Sequence, residues 1–260
     1  MPENGGAQTR GKRIHLMDEL RGFAVFCMIF FHGFYTAGFL FGNWLGLWLF
    51  RFFPPAEPFF AGLFLFISGV SSNLSHSNLA RGLKLLAVAL GVTLVTFVFL
   101  PQDVITFGVL HFLSVCMIGF GLLPRPAVRR PFSWFPAAVC AVLFFLTKGV
   151  PRGYLGAGPR LGVPLPRALY ASGWLSPLGF PGGAFQSADY FPLLPWVFVF
   201  AAGTFFGRLA AAGKFPEAVC RSRVPALSWL GRHALVLYLA HQPVIYGLGL
   251  LFAWISRAVS

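Results

Sequence analysis

Seven stretches of this chain run apolar for 16 residues or more, and no Asp, Glu, Lys or Arg stands at the middle of any of them. They are residues 22–41, 58–74, 82–100, 104–123, 132–147, 190–211 and 233–255. A helix that crosses a bilayer needs about 20 mostly apolar residues, with a working range of roughly 17–25. The first, fourth and seventh meet this readily; the second and fifth are short, as in a tilted or partly re-entrant segment. Composition closes the soluble alternative. Hydrophobic residues make up 57% and charged residues 10%, against about 25% charged in an ordinary soluble domain. The expected fold is all-α: a polytopic membrane bundle of about seven helices, or eight if the short stretch 165–180 is counted. Residues 43–53 are apolar and rich in Trp and Phe but too short to span. They read as an interfacial or lid segment, the depth that Trp favours.

The chain is basic, with 20 Lys+Arg against 7 Asp+Glu. In a soluble protein this would point to nucleic acid; here the positions of the charges decide. With the N-terminus in the cytoplasm, fourteen basic residues fall on the cytoplasmic side, among them Arg10, Lys12, Arg13, Arg21, Arg81 and Lys84, and six on the far side. That asymmetry follows the positive-inside rule, so the charge orients the protein and no nucleic-acid partner is expected. The first span is not expected to be a cleaved signal peptide: its apolar run is too long and no small-residue cleavage site follows. Residues 1–17 read as a basic cytoplasmic N-terminus, and residues 1–260 as a single membrane domain.

Residues 149–189 form the one long loop, and fifteen of its 41 residues are Gly or Pro, so regular helix is disfavoured. Loops of this length often cover or bind ligands. The cysteines, Cys27, Cys116, Cys140 and Cys220, form no CxxC pair, so neither a disulfide framework nor a metal site is suggested.

Against this uncharged interior three histidines stand out: His32, His111 and His241. Ionisable groups at membrane depth are costly and mark function or helix-to-helix bonding. Ion-coupled transporters usually place carboxylates there, and this chain has none. Arg21 and His32 are eleven residues apart, which at 100° per residue returns to the same helix face, about 16 Å along the axis. Asp18 joins that face one turn before Arg21. One stripe thus carries a charged cytoplasmic end and an imidazole at its middle. An extended ligand with anionic phosphates at one end and a reactive group at the other, such as acyl-coenzyme A, matches it. Arg21 also reads as a snorkelling anchor, and His32 as an interhelical hydrogen-bonding group. His111 has Ser114 one turn on. His241 precedes Gln242 and Pro243, where the missing N–H frees the carbonyl of Leu239. Asp189 suits a contact with an incoming hydroxyl or amine, as hydrogen-bond acceptor or base, and equally a helix N-cap. Ser68-Gly69 offers a small-residue contact between helices.

The segments RIHLMDELRGFAVFCMIFFHGFY (13–35), FLFISGVSSN (64–73), RGLKLL (81–86), FGVLHFLSV (107–115), DYFPLLPW (189–196) and LGRHALVLYLAHQPVIY (230–246) resemble, in order, the heparan-alpha-glucosaminide N-acetyltransferase catalytic-domain family. The spacing of Arg21 and His32, followed by Phe-x-x-Ser-Gly, is also similar to the acyltransferase-three membrane proteins that O-acylate surface glycans. There the Arg and His serve acyl transfer. The lysosomal member of the first family carries its active histidine beyond the first helix. Here no histidine lies between Gly33 and Glu57, so His32 stands nearest to that role, and that enzyme's heparan acceptor is not carried over.

What the resemblance implies is a membrane acyltransferase that moves an acyl group, first of all acetyl, from cytoplasmic acyl-CoA to an amine or hydroxyl of a sugar or glycan. His32 is the expected base or transient acyl carrier, with Arg21 and Asp18 beside it. Arg21, Arg81, Lys84 and Ser68 are expected on the coenzyme side, with Arg125, Arg129 and Arg130 as weaker candidates. His111, His241 and Asp189 are expected on the acceptor side, and no metal is expected. Partners are acyl-CoA, a glycan acceptor and membrane lipid, with a homo-oligomer left open; the location is a bacterial inner membrane. The alternative is a transporter or flippase for a sugar-type or lipid-linked substrate.

Overall fold

The computed structural model describes residues 13–128 and 130–259. Arg10, Lys12 and Arg129, counted above among the basic residues, lie outside them. The described helices are α1 (His15–Tyr35), α2 (Trp44–Phe50), α3 (Glu57–Ser72), α4 (Asn78–Phe99), α5 (Val109–Leu122), α6 (Arg125–Val128), α7 (Trp134–Thr147), α8 (Leu193–Ala211), α9 (Pro225–Arg232) and α10 (Ala234–Val259). Among the described residues the only sheet is a two-residue antiparallel pairing of Tyr154–Leu155 with Val163–Pro164 inside the long loop. The chain divides into two compact units, residues 1–64 with 213–260, and residues 65–212.

In the first unit α1 continues past Tyr35 as a wide π-turn, Thr36–Leu40, so one apolar run extends from His15 to Leu40. Asn43 then caps α2, its Oδ1 accepting from the Gly46 N–H at 3.0 Å. Gly38 and Gly46 let the π-turn and α2 touch backbone to side chain: a Cβ on Gly38 would meet Leu47, and one on Gly46 would meet Ala37. The closest packing is α1 on α9. A Cβ on Gly22 would strike the Leu227 carbonyl, and one on Gly231 would strike the Asp18 carbonyl. Small residues let helix backbones approach where lipid supplies no hydrophobic drive. Glu19 fixes the register. It is buried, and its Oε1 accepts from the N–H groups of Arg223 (2.7 Å) and Val224 (2.9 Å) and from the Ser222 hydroxyl (3.1 Å). A carboxylate from one helix thus serves the free N–H groups at the start of another.

In the second unit the C-terminal half of α3 crosses α8 on three glycines. Gly69 faces the Phe200 carbonyl, Gly203 the Phe66 carbonyl and Gly207 the Val70 carbonyl, and Asn73 Nδ2 donates to the Thr204 carbonyl at 2.7 Å. Helices α4 and α5 meet at Gly82 against Ile118 and at Gly121 against Leu79. Many large apolar side chains of the long helices stay exposed, Leu94, Phe97 and Phe99 on α4 among them; a bilayer is the solvent that suits such a surface.

Among the described residues five helices are long and apolar enough to cross a membrane: His15–Leu40, Asn78–Phe99, Trp134–Arg152, Leu193–Ala211 and Ala234–Ile255. The other two expected spans, 58–74 and 104–123, are the shorter apolar helices Glu57–Ser72 and Val109–Leu122. Helix α5 starts late because Val104 to Phe107 run extended against the end of the long loop. Ala188 N–H donates to the Val104 carbonyl, Phe191 N–H to the Phe107 carbonyl, and Phe107 bridges Tyr190. The stretch 165–180 forms two short 3₁₀ segments, Arg167–Tyr170 and Gly173–Leu178. Residues 43–53 contain the short helix α2 with Trp44 and Trp48 exposed.

Candidate active site

The stripe on α1 is present, and its ends have different company. At the N-terminal end Asp18 is buried and holds two guanidinium groups. Arg13 lies 2.8 Å from Oδ2 and Arg21 lies 3.7 Å from Oδ1. Asp18 therefore pairs with Arg21, as the i, i+3 spacing predicts, and more closely with Arg13, which the spacing does not single out. The Arg21 side chain keeps 20% of its surface exposed.

Three turns further on, His32 meets α10. The Gln242 side-chain nitrogen lies 2.8 Å from His32 Nδ1, and the rings of His32 and His241 are 5.0 Å apart between centroids. Phe31 stands edge-on to His32 at 5.2 Å. His241 Nδ1 lies 2.6 Å from the Tyr238 carbonyl oxygen, while its Nε2 is buried with no hydrogen-bond partner. The Tyr238 ring lies tilted beside it, 5.7 Å between centroids. Residues 241–243 place two polar side chains in succession just where Pro243 removes a helical N–H. Gln242 was legible only as a polar neighbour of His241; its contact with α1 needed the fold.

In the second unit His111 and Asp189 come together at the start of α5. His111 lies in the first turn of that helix rather than at its middle. Gly108 N–H donates to His111 Nδ1 at 3.3 Å. The proton of the neutral ring then sits on Nε2, which donates to Thr93 Oγ1 at 3.2 Å, and the Thr93 hydroxyl donates to the Ile105 carbonyl at 2.6 Å. Both ring nitrogens of His111 are thus engaged, as befits a group that fixes a helix start. Asp189 is a helix cap, yet not for α8, which follows it: its Oδ2 accepts from Val109 N–H at 3.0 Å, 80 residues back in the chain. Around it Thr106 N–H donates to Ser187 Oγ at 3.0 Å and Thr106 Oγ1 to the Gln186 carbonyl at 3.2 Å.

The long loop is tied down from within. Tyr190 donates to the Ser176 carbonyl at 2.7 Å, and Tyr170 donates to the Val150 carbonyl. Burial, and then the neighbouring Tyr170, pushes the Tyr190 phenol up to about 12, so it stays a neutral donor. A cleft of about 510 Å³ opens beside these residues, lined by Gln102, Phe185, Gln186 and Tyr190 with Pro101, Pro151 and Pro181. Arg81 and Lys84 extend exposed side chains from the first turns of α4. Ser68 precedes Gly69 at the crossing of α3 with α8, and its carbonyl accepts from the Ser72 hydroxyl at 3.0 Å. Among the described residues no group of three His, Cys, Asp or Glu side chains is arranged to hold a metal ion.

Long apolar helices with polar groups turned toward one another define an integral membrane protein of the helical class. The family model described as heparan-alpha-glucosaminide N-acetyltransferase, catalytic, matches residues 13–243, and the chain belongs to that family. No curated protein and no solved structure matches the chain.

Proposed function

We propose that this protein is an acyl-CoA-dependent membrane acyltransferase that passes an acyl group, acetyl first of all, to an amine or hydroxyl of a sugar or glycan at or across the membrane. The observation that carries this reading is the pairing of His32 with His241 and Gln242 on the helix whose other end holds Arg21, in a chain of an acetyltransferase family. The phosphates of the coenzyme bind at the cytoplasmic end, where the guanidinium fork of Arg21, held by Asp18, matches phosphate oxygens. By sequence, Arg81, Lys84 and Ser68 are the further coenzyme-side candidates. The pantetheine arm extends about 16 Å along α1, which brings the thioester to His32. His241 completes the acceptor side there, and by sequence His111 and Asp189 are the further acceptor-side candidates.

In this reading the N-terminus is cytoplasmic, the two shorter apolar helices join the five long ones as spans, and the membrane is a bacterial inner membrane. The test is transfer of radiolabelled acetyl from acetyl-CoA to glucosamine by the purified protein in lipid nanodiscs. His32→Ala abolishes transfer while the protein still inserts and folds. Undiminished transfer in that variant removes His32 from the site.

A further inference from the structure

The two imidazoles differ in which nitrogen carries the proton. A carbonyl oxygen only accepts hydrogen bonds, so the 2.6 Å contact of His241 Nδ1 with the Tyr238 carbonyl requires a proton on Nδ1. In the neutral ring Nε2 then carries a bare lone pair, and that atom is buried without a partner. In the orientation the Gln242 amide adopts, its nitrogen faces His32 Nδ1 at 2.8 Å; an amide nitrogen only donates, so Nδ1 accepts and the ring proton sits on His32 Nε2. A buried polar atom with no partner demands an explanation, and a catalytic role is one. The ring centroids are 5.0 Å apart, close enough for one small reacting group to touch both.

We infer that His241, through Nε2, is the base that activates the acceptor, that His32 is the hydrogen-bond donor to the reacting carbonyl, and that Gln242 is the positioning residue that keeps His32 in its donor form. This rests on the acyltransferase reading. The acceptor's O–H or N–H proton passes to His241 Nε2 as its oxygen or nitrogen attacks the thioester carbonyl carbon. The carbonyl electrons move onto oxygen, where the His32 Nε2–H stabilises the developing charge. The carbonyl re-forms, the C–S bond breaks and the thiolate leaves. The His241 imidazolium returns its proton to that sulfur, giving free coenzyme A thiol and a neutral ring. No acyl group rests on His32 at any point, and one proton makes the whole circuit.

The full-length protein in lipid nanodiscs, labelled with 15N-histidine, tests the proton placement. The two tautomers give distinct ring-nitrogen shifts, and His32→Gln and His241→Asn identify the signals by their loss. The expected result is Nδ1–H with bare Nε2 at His241 and the reverse at His32. Gln242→Glu, whose carboxylate accepts only, moves the His32 proton to Nδ1. Acetyl transfer from acetyl-CoA to glucosamine is measured on the same samples. His241→Asn, which can still bond Tyr238, lowers kcat by about a hundredfold or more, with the KM for acetyl-CoA held within about twofold. His32→Gln, which keeps an N–H near the Nε2 position, retains about a tenth of kcat, and Gln242→Glu falls between the two. A proton on His241 Nε2 overturns the inference, and so does acetyl recovered on His32 or a His32→Gln variant less active than His241→Asn. Absence of transfer by the unaltered protein overturns the acyltransferase reading instead, and the nitrogen shifts still decide where the protons sit.

Discussion

Glu19 shows how one side chain can set a helix contact. Its carboxylate oxygen accepts from two backbone N–H groups and two hydroxyls at the start of α9, with Ser228 the fourth donor at 3.4 Å. Glu19→Ala takes away the buried acceptor of these four bonds. The expected loss is about 1–3 kcal/mol, read as a lower Tm in detergent. Glu19→Gln retains an oxygen acceptor and loses less. The same logic applies to Thr93, whose hydroxyl accepts from His111 Nε2–H and donates to the Ile105 carbonyl. Thr93→Val conserves shape and removes the acceptor, so it destabilises by about 1–3 kcal/mol and frees His111 Nε2–H, visible as a changed ring-nitrogen shift. Neither Glu19 nor Thr93 could be singled out from sequence. One looks like a charge at a helix start and the other like an ordinary β-branched residue in an apolar run. Asp18, Arg21 and His32 were legible because helical periodicity alone puts them on one face.

At the scale of elements, contacts are made by glycine where helices cross and by carboxylates where helices begin. Gly22 and Gly231 bring α1 and α9 into backbone contact. Gly22→Ala or Gly231→Ala pushes the pair apart, at a cost of about 1–3 kcal/mol, and weakens the Glu19 cap that depends on their approach. Thermal unfolding of the single and double variants checks this, and the two changes together cost less than their sum because both relieve one contact. In the second unit Asp189 caps α5 from the end of the long loop. Asp189→Ala costs about 0.5–2 kcal/mol, and faster hydrogen exchange appears at Val109 and across 186–191 together. By sequence Asp189 reads as an acceptor contact or as the cap of the helix that follows it; the helix it caps starts 80 residues away in the chain, which no local pattern encodes.

For the whole molecule, orientation rests on fourteen basic residues against six. Cys220 lies between α8 and α9, half-buried. A membrane-impermeant thiol reagent should spare it in intact cells and label it in inverted vesicles if the N-terminus is cytoplasmic, and the reverse pattern inverts the topology. The sequence by itself determined that the chain is helical and membrane-embedded, because 10% charged residues cannot clothe a water-facing surface. It also determined that histidines, rather than carboxylates, are the ionisable groups at depth, and its segments pointed to the family. The tertiary structure alone decided how far each helix extends, since the late start of α5 depends on backbone pairing with a loop distant in sequence. It alone joined His32 to Gln242 and His241, residues 210 and 209 positions away along the chain. The physical reason is the same in each case. Periodicity and hydropathy are local properties that a run of residues carries by itself. A hydrogen bond between helices, and the tautomer it imposes, exists only once packing has brought donor and acceptor within 3 Å or so of each other.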